Sequence, residues 1–388
     1  MVALGCGLPR FLRAAASGID DGTSEKITVI LQLSGGNDGL NTVVPYRNDI
    51  YQKQRPTLSL SASDVIDIGS DLGMNPAAKG LADLFLSGDL AVVQGVGYDN
   101  PNRSHFESMD IWHTCQRKDQ SRTTGWLGRA LDLVEPPDLS GMHIGHGKQP
   151  LALVGNSVTC PTVGSPNEFK IQNDDDQVLQ KTLSLATETP QAADSDLLAF
   201  LNENTSSALN ASDRIAEAMK TQSSANPYPE TELGRKFETI NRMIAGDLET
   251  KVYYVELDGF DTHSAQAPAH QSLLTQWSEA ISAFQKNLRE LNRDQDVVVF
   301  CFSEFGRRVS ENASEGTDHG AAAPILLAGT PLQGGLIGEH PSLEDLEDGD
   351  LKHHTDFRQV YATLLEDWMG WDSEPILGRK YPKLSLFS

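Results

Sequence analysis

Apolar positions fall into two kinds of segment that alternate along the chain. Short runs dense in Val, Ile, Leu and Phe occur at 27–33 (ITVILQL), 90–96 (LAVVQGV), 251–257 (KVYYVEL), 297–302 (VVVFCF) and 324–329 (PILLAG). Their length and unbroken apolar character predict strands buried on both faces. Pro150–Val154 reads as a further strand. Between the runs, apolar residues at helical spacing predict helices at 76–87, 104–115, 233–248, 267–292 and 356–369, with Pro76 suited to a first turn. Buried strands alternating with helices predict an α/β fold of three layers: a mainly parallel central sheet with helices on both faces. Residues 165–232 break the pattern. They are mostly Ser, Asn, Asp, Gln and Thr, and read as a polar helical insertion or cap with helices at about 193–203 and 207–222. The remainder, from residue 25 to 388, reads as a single domain.

Charge narrows the partners. The 388 residues carry 54 Asp and Glu against 31 Lys and Arg, a net charge of −23. That balance argues against a nucleic-acid binder, which needs a basic surface, and against docking on anionic lipid. It is compatible with binding cations. No apolar run approaches the roughly 20 residues of a membrane span. Four cysteines are too few for a disulfide scaffold. Cys301 lies inside a predicted strand and reads as a small buried hydrophobe, whereas Cys115 and Cys160 either pair or stay as thiols. The first 24 residues carry Arg10, Arg13 and Ala14-Ala15-Ala16. They read either as a disordered amphipathic arm or as the remnant of an export leader.

In open α/β sheets ligands collect beyond the carboxyl ends of the strands, so the polar residues that follow each strand are the informative ones. After 27–33 comes a Gly-rich turn with Asn37 and Asp38; Asp38 either ligates a metal or closes an Asx-turn. After 90–96 come Arg103, Ser104 and His105. Ser104 and Glu107 match a capping box. Alternatively Ser104 is a nucleophile at a helix N-terminus, with His105 as acid, base or ligand. After 251–257 come Asp258, Asp261 and His263, a set that suits a divalent ion or a capped turn. After 297–302 comes Glu304, a ligand or an ion-pair partner of Arg307 or Arg308; either arginine is also suited to gripping an anionic substrate. Asp318 and His319 follow in the next loop. Four successive strand ends therefore deliver Asp, Glu, His or Ser. Crowded carboxylates are unfavourable without a cation, which points to a divalent metal site rather than to four independent turns.

At these residues the chain resembles the bacterial family called domain of unknown function 1501. The matching segments are Leu33–Asn41 (LSGGNDGLN), Asn102–Phe106 (NRSHF), Gly125–Arg129 (GWLGR), Phe260–His263 (FDTH), Phe302–Arg307 (FSEFGR) and Gly316–Gly320 (GTDHG). Members typically carry a twin-arginine export leader, which implies a periplasmic or otherwise exported protein. More distantly, the family is similar to the alkaline phosphatase and sulfatase superfamily, whose enzymes hold two divalent metals over a Ser, Thr or modified Cys nucleophile. The order of motifs there implies Asp38 as first ligand, Ser104 as nucleophile, Asp261 and His263 as the middle pair, Glu304 as the next acidic ligand and His319 as the last. Asp258 and Asp318 stand near enough in sequence to contribute, and His105, Arg103 and Arg307 join Ser104 as catalytic candidates. The chain departs from that order in two places. Asp261 and His263 are two apart rather than four, and Phe305 stands where the imidazole of the usual Asp-His pair is expected. Cys-x-Pro-x-Arg is absent, which sets aside a formylglycine sulfatase, and Gly-x-Ser-x-Gly is absent, which removes the usual serine-esterase elbow.

The expectation is an exported hydrolase of phosphate or sulfate esters, acting on a small-molecule or glycan substrate with Ser104 at a one- or two-metal site. Zinc is the first choice of ion, with manganese, calcium or magnesium as alternatives. The rival expectation is a non-catalytic exported protein that keeps the hydrolase fold and binds glycan or a protein partner.

Overall fold

The computed structural model describes residues 26–133, 139–164, 212–221 and 225–387. Among them, nine strands form one central sheet: β1 (Ile27–Ser34), β2 (Leu90–Gly97), β3 (Gly141–Ile144), β4 (Thr162–Val163), β5 (Val252–Asp258), β6 (Val297–Phe302), β7 (Ala323–Ala328), β8 (Gly335–Ile337) and β9 (Thr355–Asp356). Their order is β8-β2-β7-β6-β1-β5-β3-β4, with β9 beside β2. β7 runs antiparallel to both neighbours, and every other pairing in this sheet is parallel.

Among the described residues, helices α1 (Lys79–Leu86), α2 (His105–Thr114), α3 (Trp126–Leu131), α4 (Glu232–Ala245), α5 (Gln266–Glu290) and α6 (Phe357–Thr363) flank the sheet. The period of two along each strand sorts side chains between two cores. Val29, Leu31, Val299 and Cys301 face one core with α1, α4 and α5. Ile30, Val298, Phe300 and Phe302 face the other with α2, α3 and α6. This is the mainly parallel three-layer arrangement the alternation predicts. Each fully buried Val, Leu or Phe contributes about 1.5–3 kcal/mol, so the sheet is a rigid base for whatever its edges carry.

The structure corrects several expectations. Pro150–Val154 is not a strand. Leu151–Leu153 form a single 3-10 turn, because this stretch packs under the start of α3, where the Gly125 amide donates to the Val154 carbonyl at 2.8 Å. Strands β3, β4, β8 and β9 are two to four residues long, too short to show a pattern. The 356–369 helix ends in a wider turn at Leu364–Trp368. Cys115, Cys160 and Cys301 are buried and free, and burial pushes each thiol up to about 12. Most of the polar insertion, including the helix expected at 193–203, lies outside the described residues, as does the leader segment; residues 212–218 within the insertion are helical. Among the described residues, no helix is long and apolar enough to cross a membrane.

Register decides where the strands end. Ser34 of β1 pairs with Asp258 of β5, and Gln32 pairs with Phe302 of β6. The carboxyl ends of β5, β1 and β6 therefore finish side by side, and the loops that follow them meet.

Candidate metal centre

The turn after β1 bends sharply enough to need glycine. Gly35 and Gly36 have φ of +114° and +81°, and a Cβ on Gly35 would lie 2.4 Å from the Asp261 amide nitrogen. Into this close contact runs the wholly buried side chain of Arg307. It donates to the carbonyls of Gly36 at 2.8 Å, Thr317 at 2.7 Å, Phe260 at 3.0 Å and Gly35, and to Asp261 Oδ1 at 2.7 Å. One guanidinium thus binds together the turn after β1, the loop after β5 and the hairpin formed by Arg307–Glu311 and Thr317–His319. It also fixes the orientation of the Asp261 carboxylate.

Three imidazoles surround that carboxylate. His263 Nε2 and His319 Nε2 each lie 3.0 Å from Asp261 Oδ1, and 2.9 Å from each other. His105 Nε2 lies 3.5 Å from Asp261 Oδ2. On its far side each ring is held by an acceptor. His319 Nδ1 meets the Arg103 carbonyl at 2.7 Å, His263 Nδ1 meets Asp318 Oδ1 at 3.2 Å, and His105 Nδ1 meets Glu304 Oε1 at 2.8 Å. A carbonyl or carboxylate can only accept, so Nδ1 carries the proton in all three rings. In a neutral ring Nε2 is then a bare lone pair. Phe305 packs on two of these rings, with centroids 4.9 Å from His105 and 4.6 Å from His319.

Lone pairs crowded on a carboxylate repel unless something positive lies among them. His105 Nε2 is buried and has no hydrogen-bond partner, an arrangement that costs stability unless the atom is used. Ligand atoms of His105, Asp261 and His319 all lie within 4.8 Å of one another. A ring that gives its Nδ1 proton to a carboxylate or carbonyl and its Nε2 to an ion is the common state of a metal-bound histidine. The set of three imidazoles and one carboxylate fits a divalent cation.

Electrostatics agree. Burial alone would raise the pKa of Asp261, but the hydrogen bond and charge of Arg307 outweigh it and lower it to about 2. The hydrogen bond to Glu304 raises His105 above its ordinary value against the opposing effect of burial. For Asp318, burial is again outweighed, by Asn312 and His263, and its pKa is lowered.

Other expected site residues have different work. Glu304 is buried with both oxygens engaged, Oε1 by the Gly35 amide at 2.9 Å and by His105, Oε2 by Ser303 Oγ at 3.0 Å. It holds His105 and does not itself face the cluster, and it pairs with neither Arg307 nor Arg308. Asp318 similarly holds His263. Asp38 is sealed in the interior. Arg55 donates to its Oδ2 at 2.6 Å with both side chains fully buried, and Gln266 donates to the same oxygen. Burial would raise its pKa, but the Arg55 charge wins and lowers it. Asp258 turns back on the Gly259 amide at 2.7 Å, away from the cluster. Arg307 is fully committed and not free to grip an ester, whereas Arg103 pairs with Asp350 through Nε at 2.8 Å and through Nη2.

Ser104 is the N-terminal flanking residue of α2, yet its side chain makes no capping bond. The capping box is absent because Glu107 pairs instead with Arg122, and Asn102 Oδ1 takes the Ser104 amide at 2.8 Å. An exposed hydroxyl is left between Arg103, whose carbonyl holds His319, and His105. Sequence reasoning missed Arg55 and Gln266 altogether. Neither follows a strand directly, and only the folded chain places them against Asp38.

A family model described as "Protein of unknown function (DUF1501)" matches residues 90–380. The chain belongs to that family. No curated protein matches it. Among solved structures it is similar to the PsFucS1 sulfatase from Pseudoalteromonas sp., at 10% identity and a TM-score of 0.40, covering 96% of this chain and 72% of that one. It is also similar to a protein in the alkaline phosphatase superfamily from Vibrio parahaemolyticus, at 10% identity and a TM-score of 0.41, with 91% and 69% covered. A third is the C-terminal periplasmic domain of EcEptC from Escherichia coli, at 12% identity and a TM-score of 0.36, with 93% and 88% covered.

Proposed function

We propose that this member of the DUF1501 family is a hydrolase of phosphate or sulfate esters that works with one divalent cation held by His105, Asp261, His263 and His319. Zinc suits three imidazoles and a carboxylate best. The observation that carries the reading is the convergence of three Nε2 atoms on one carboxylate, each ring fixed from behind. A cation bound there supplies positive charge where an ester's oxygens become more negative.

The chain's own residues do the rest. Ser104 is the nucleophile: its hydroxyl carries no hydrogen bond and sits at the start of a ten-residue helix, whose free amides favour an anion. As Ser104 Oγ bonds to phosphorus or sulfur, its proton passes to water and the alcohol leaves. Water then cleaves the serine ester and frees the inorganic anion. Arg307 keeps Asp261 in place, while Glu304, Asp318 and the Arg103 carbonyl keep the three rings in one tautomer. A small-molecule or glycan ester is the substrate class.

One observation favours a second reading, a cation-dependent binding protein without turnover. The resemblance implies two ions, but Asp38, a ligand in that scheme, is neutralised by Arg55. Metal analysis of the purified protein, with aryl phosphate, phosphodiester and sulfate esters assayed in added zinc or manganese, separates the two. The hydrolase reading expects near-stoichiometric metal in wild type and Ser104→Ala, with turnover in wild type alone. Metal without turnover in either supports the binder. Full metal content in Asp261→Asn would remove the centre itself.

A further inference from the structure

A pocket of about 390 Å³ opens among the end of β2, the end of α2 and the chain that follows the short helix Glu374–Leu377. Its size falls in the roughly 300–1,000 Å³ range of small-molecule sites. Three arginines line it, stacked on two tyrosines. The guanidinium carbon of Arg117 lies 5.6 Å from the Tyr98 ring centre, and those of Arg379 and Arg358 lie 4.7 and 5.1 Å from that of Tyr381.

Guanidiniums gathered at one pocket repel one another. In a chain of net charge −23, carboxylates to neutralise them are plentiful. Arg358 has one: Asp356, held through two bonds of 2.8 and 2.5 Å. Arg117 and Arg379 form no ion pair among the described residues. Asp119 shares the lining but pairs with neither. Arg117 spends two donors on the carbonyls of Asp99 and Asn100, which aims its charge without cancelling it. Beside these cations, Gln116 Oε1 is buried and has no hydrogen-bond partner.

We propose that this pocket binds a sugar carrying a tetrahedral oxyanion, a sugar phosphate or sugar sulfate, at a place separate from the metal centre. Arg117 and Arg379 take the oxyanion, for which the planar guanidinium is suited. A sugar hydroxyl donates to Gln116 Oε1 beside the oxyanion. The proposal does not depend on the hydrolase reading. Isothermal titration calorimetry of the full chain with glucose 6-phosphate, glucose 6-sulfate and glucose tests it. Saturable binding of the two anionic sugars is expected, with glucose at least about tenfold weaker. Arg379→Gln and Arg117→Gln should weaken the anionic sugars by about tenfold or more. Arg379 is exposed and makes no hydrogen bond among the described residues, so Arg379→Gln leaves the fold intact, which circular dichroism checks. Asp261→Asn, a change at the metal centre, should bind like wild type where circular dichroism shows it folded. Absence of saturable binding, glucose binding as tightly as its esters, undiminished binding in both arginine variants, or loss of binding in Asp261→Asn would each overturn the proposal.

Discussion

His263 and His319 face each other through their Nε2 atoms at 2.9 Å, while the Nδ1 of each is already committed, to Asp318 at 3.2 Å and to the Arg103 carbonyl at 2.7 Å. With both rings neutral, neither Nε2 has a proton to offer the other, so a cation or an added proton must lie between them. If that partner is a metal ion, the acceptors behind the rings tune its affinity. Asp318→Ala should weaken zinc binding by about 10–100-fold, and His319→Ala should weaken it further. Competition against a chromophoric chelator measures both. Wild-type affinity in the two variants would show that the facing nitrogens do not hold a metal.

Arg307 is wholly buried, and its donors serve four carbonyls and Asp261. Arg307→Met would strand those oxygens beneath the site and leave Asp261 without its buried counter-charge. Each buried carbonyl left without a partner costs about 1–3 kcal/mol. Lysine cannot replace the fork, because its three donors radiate from one atom. The urea unfolding midpoint should therefore drop steeply in Arg307→Met and in Arg307→Lys. An unfolding free energy within about 1 kcal/mol of wild type would return Arg307 to the list of free substrate clamps.

The difference between what the sequence announced and what it hid follows from range. β1 and β6 are unbroken apolar runs, and burial on both faces leaves that mark whatever surrounds them. The antiparallel direction of β7 leaves none, since a buried strand reads alike either way. Asp261, His263 and His319 were visible because they are ionisable and follow strands. Glu304 and Asp38 have the same local signature, and their different employment is set by residues far away in the chain: His105, 199 positions from Glu304, and Arg55 at the end of the short helix Asp49–Gln54. Arg307 was legible as a cation, but its burial among carbonyls is a fact of the tertiary structure alone. The sequence left Ser104 open between cap and nucleophile, and Arg122 removes the capping box by taking Glu107.

The Asp38–Arg55 pair, fully buried at 2.6 Å, makes a separate prediction. Arg55→Met removes the counter-charge of a carboxylate that cannot reach water, at about 3–5 kcal/mol. Adding Asp38→Asn to that variant removes the stranded charge and should recover part of the loss. Thermal unfolding of the two single variants and the double variant gives the coupling. A further outcome bears on function. If Arg55→Met is well folded and takes up a second equivalent of zinc, the guanidinium stands where a second ion can sit, and the two-metal scheme implied by the resemblance is one substitution away. If it is destabilised and takes up none, Asp38 is structural.

Burial, with the Lys236 charge, lowers His143 to about 4, and two further buried histidines add to the acid limit of the fold. Burial lowers His113 to about 3 and His270 to about 4. His113 Nε2 lies 2.9 Å from Gln32 Oε1, and His270 Nε2 lies 3.0 Å from Asn37 Oδ1. In the unfolded chain each ring takes up a proton near pH 6.5. Below that pH the unfolded state binds more protons than the folded state, so acid favours unfolding. The stability these rings contribute is whole above about pH 6.5 and drains away as the pH falls toward 4 for His270 and 3 for His113. The slope is about 1.4 kcal/mol per pH unit for each ring. Asp261, lowered to about 2, loses its own contribution only below about pH 4, so the two windows separate. The unfolding midpoint should fall between pH 6 and 4. His113→Gln should be less stable at pH 7, yet show a shallower fall across that window. An acid slope identical to wild type in both His113→Gln and His270→Gln would place the limit in other groups.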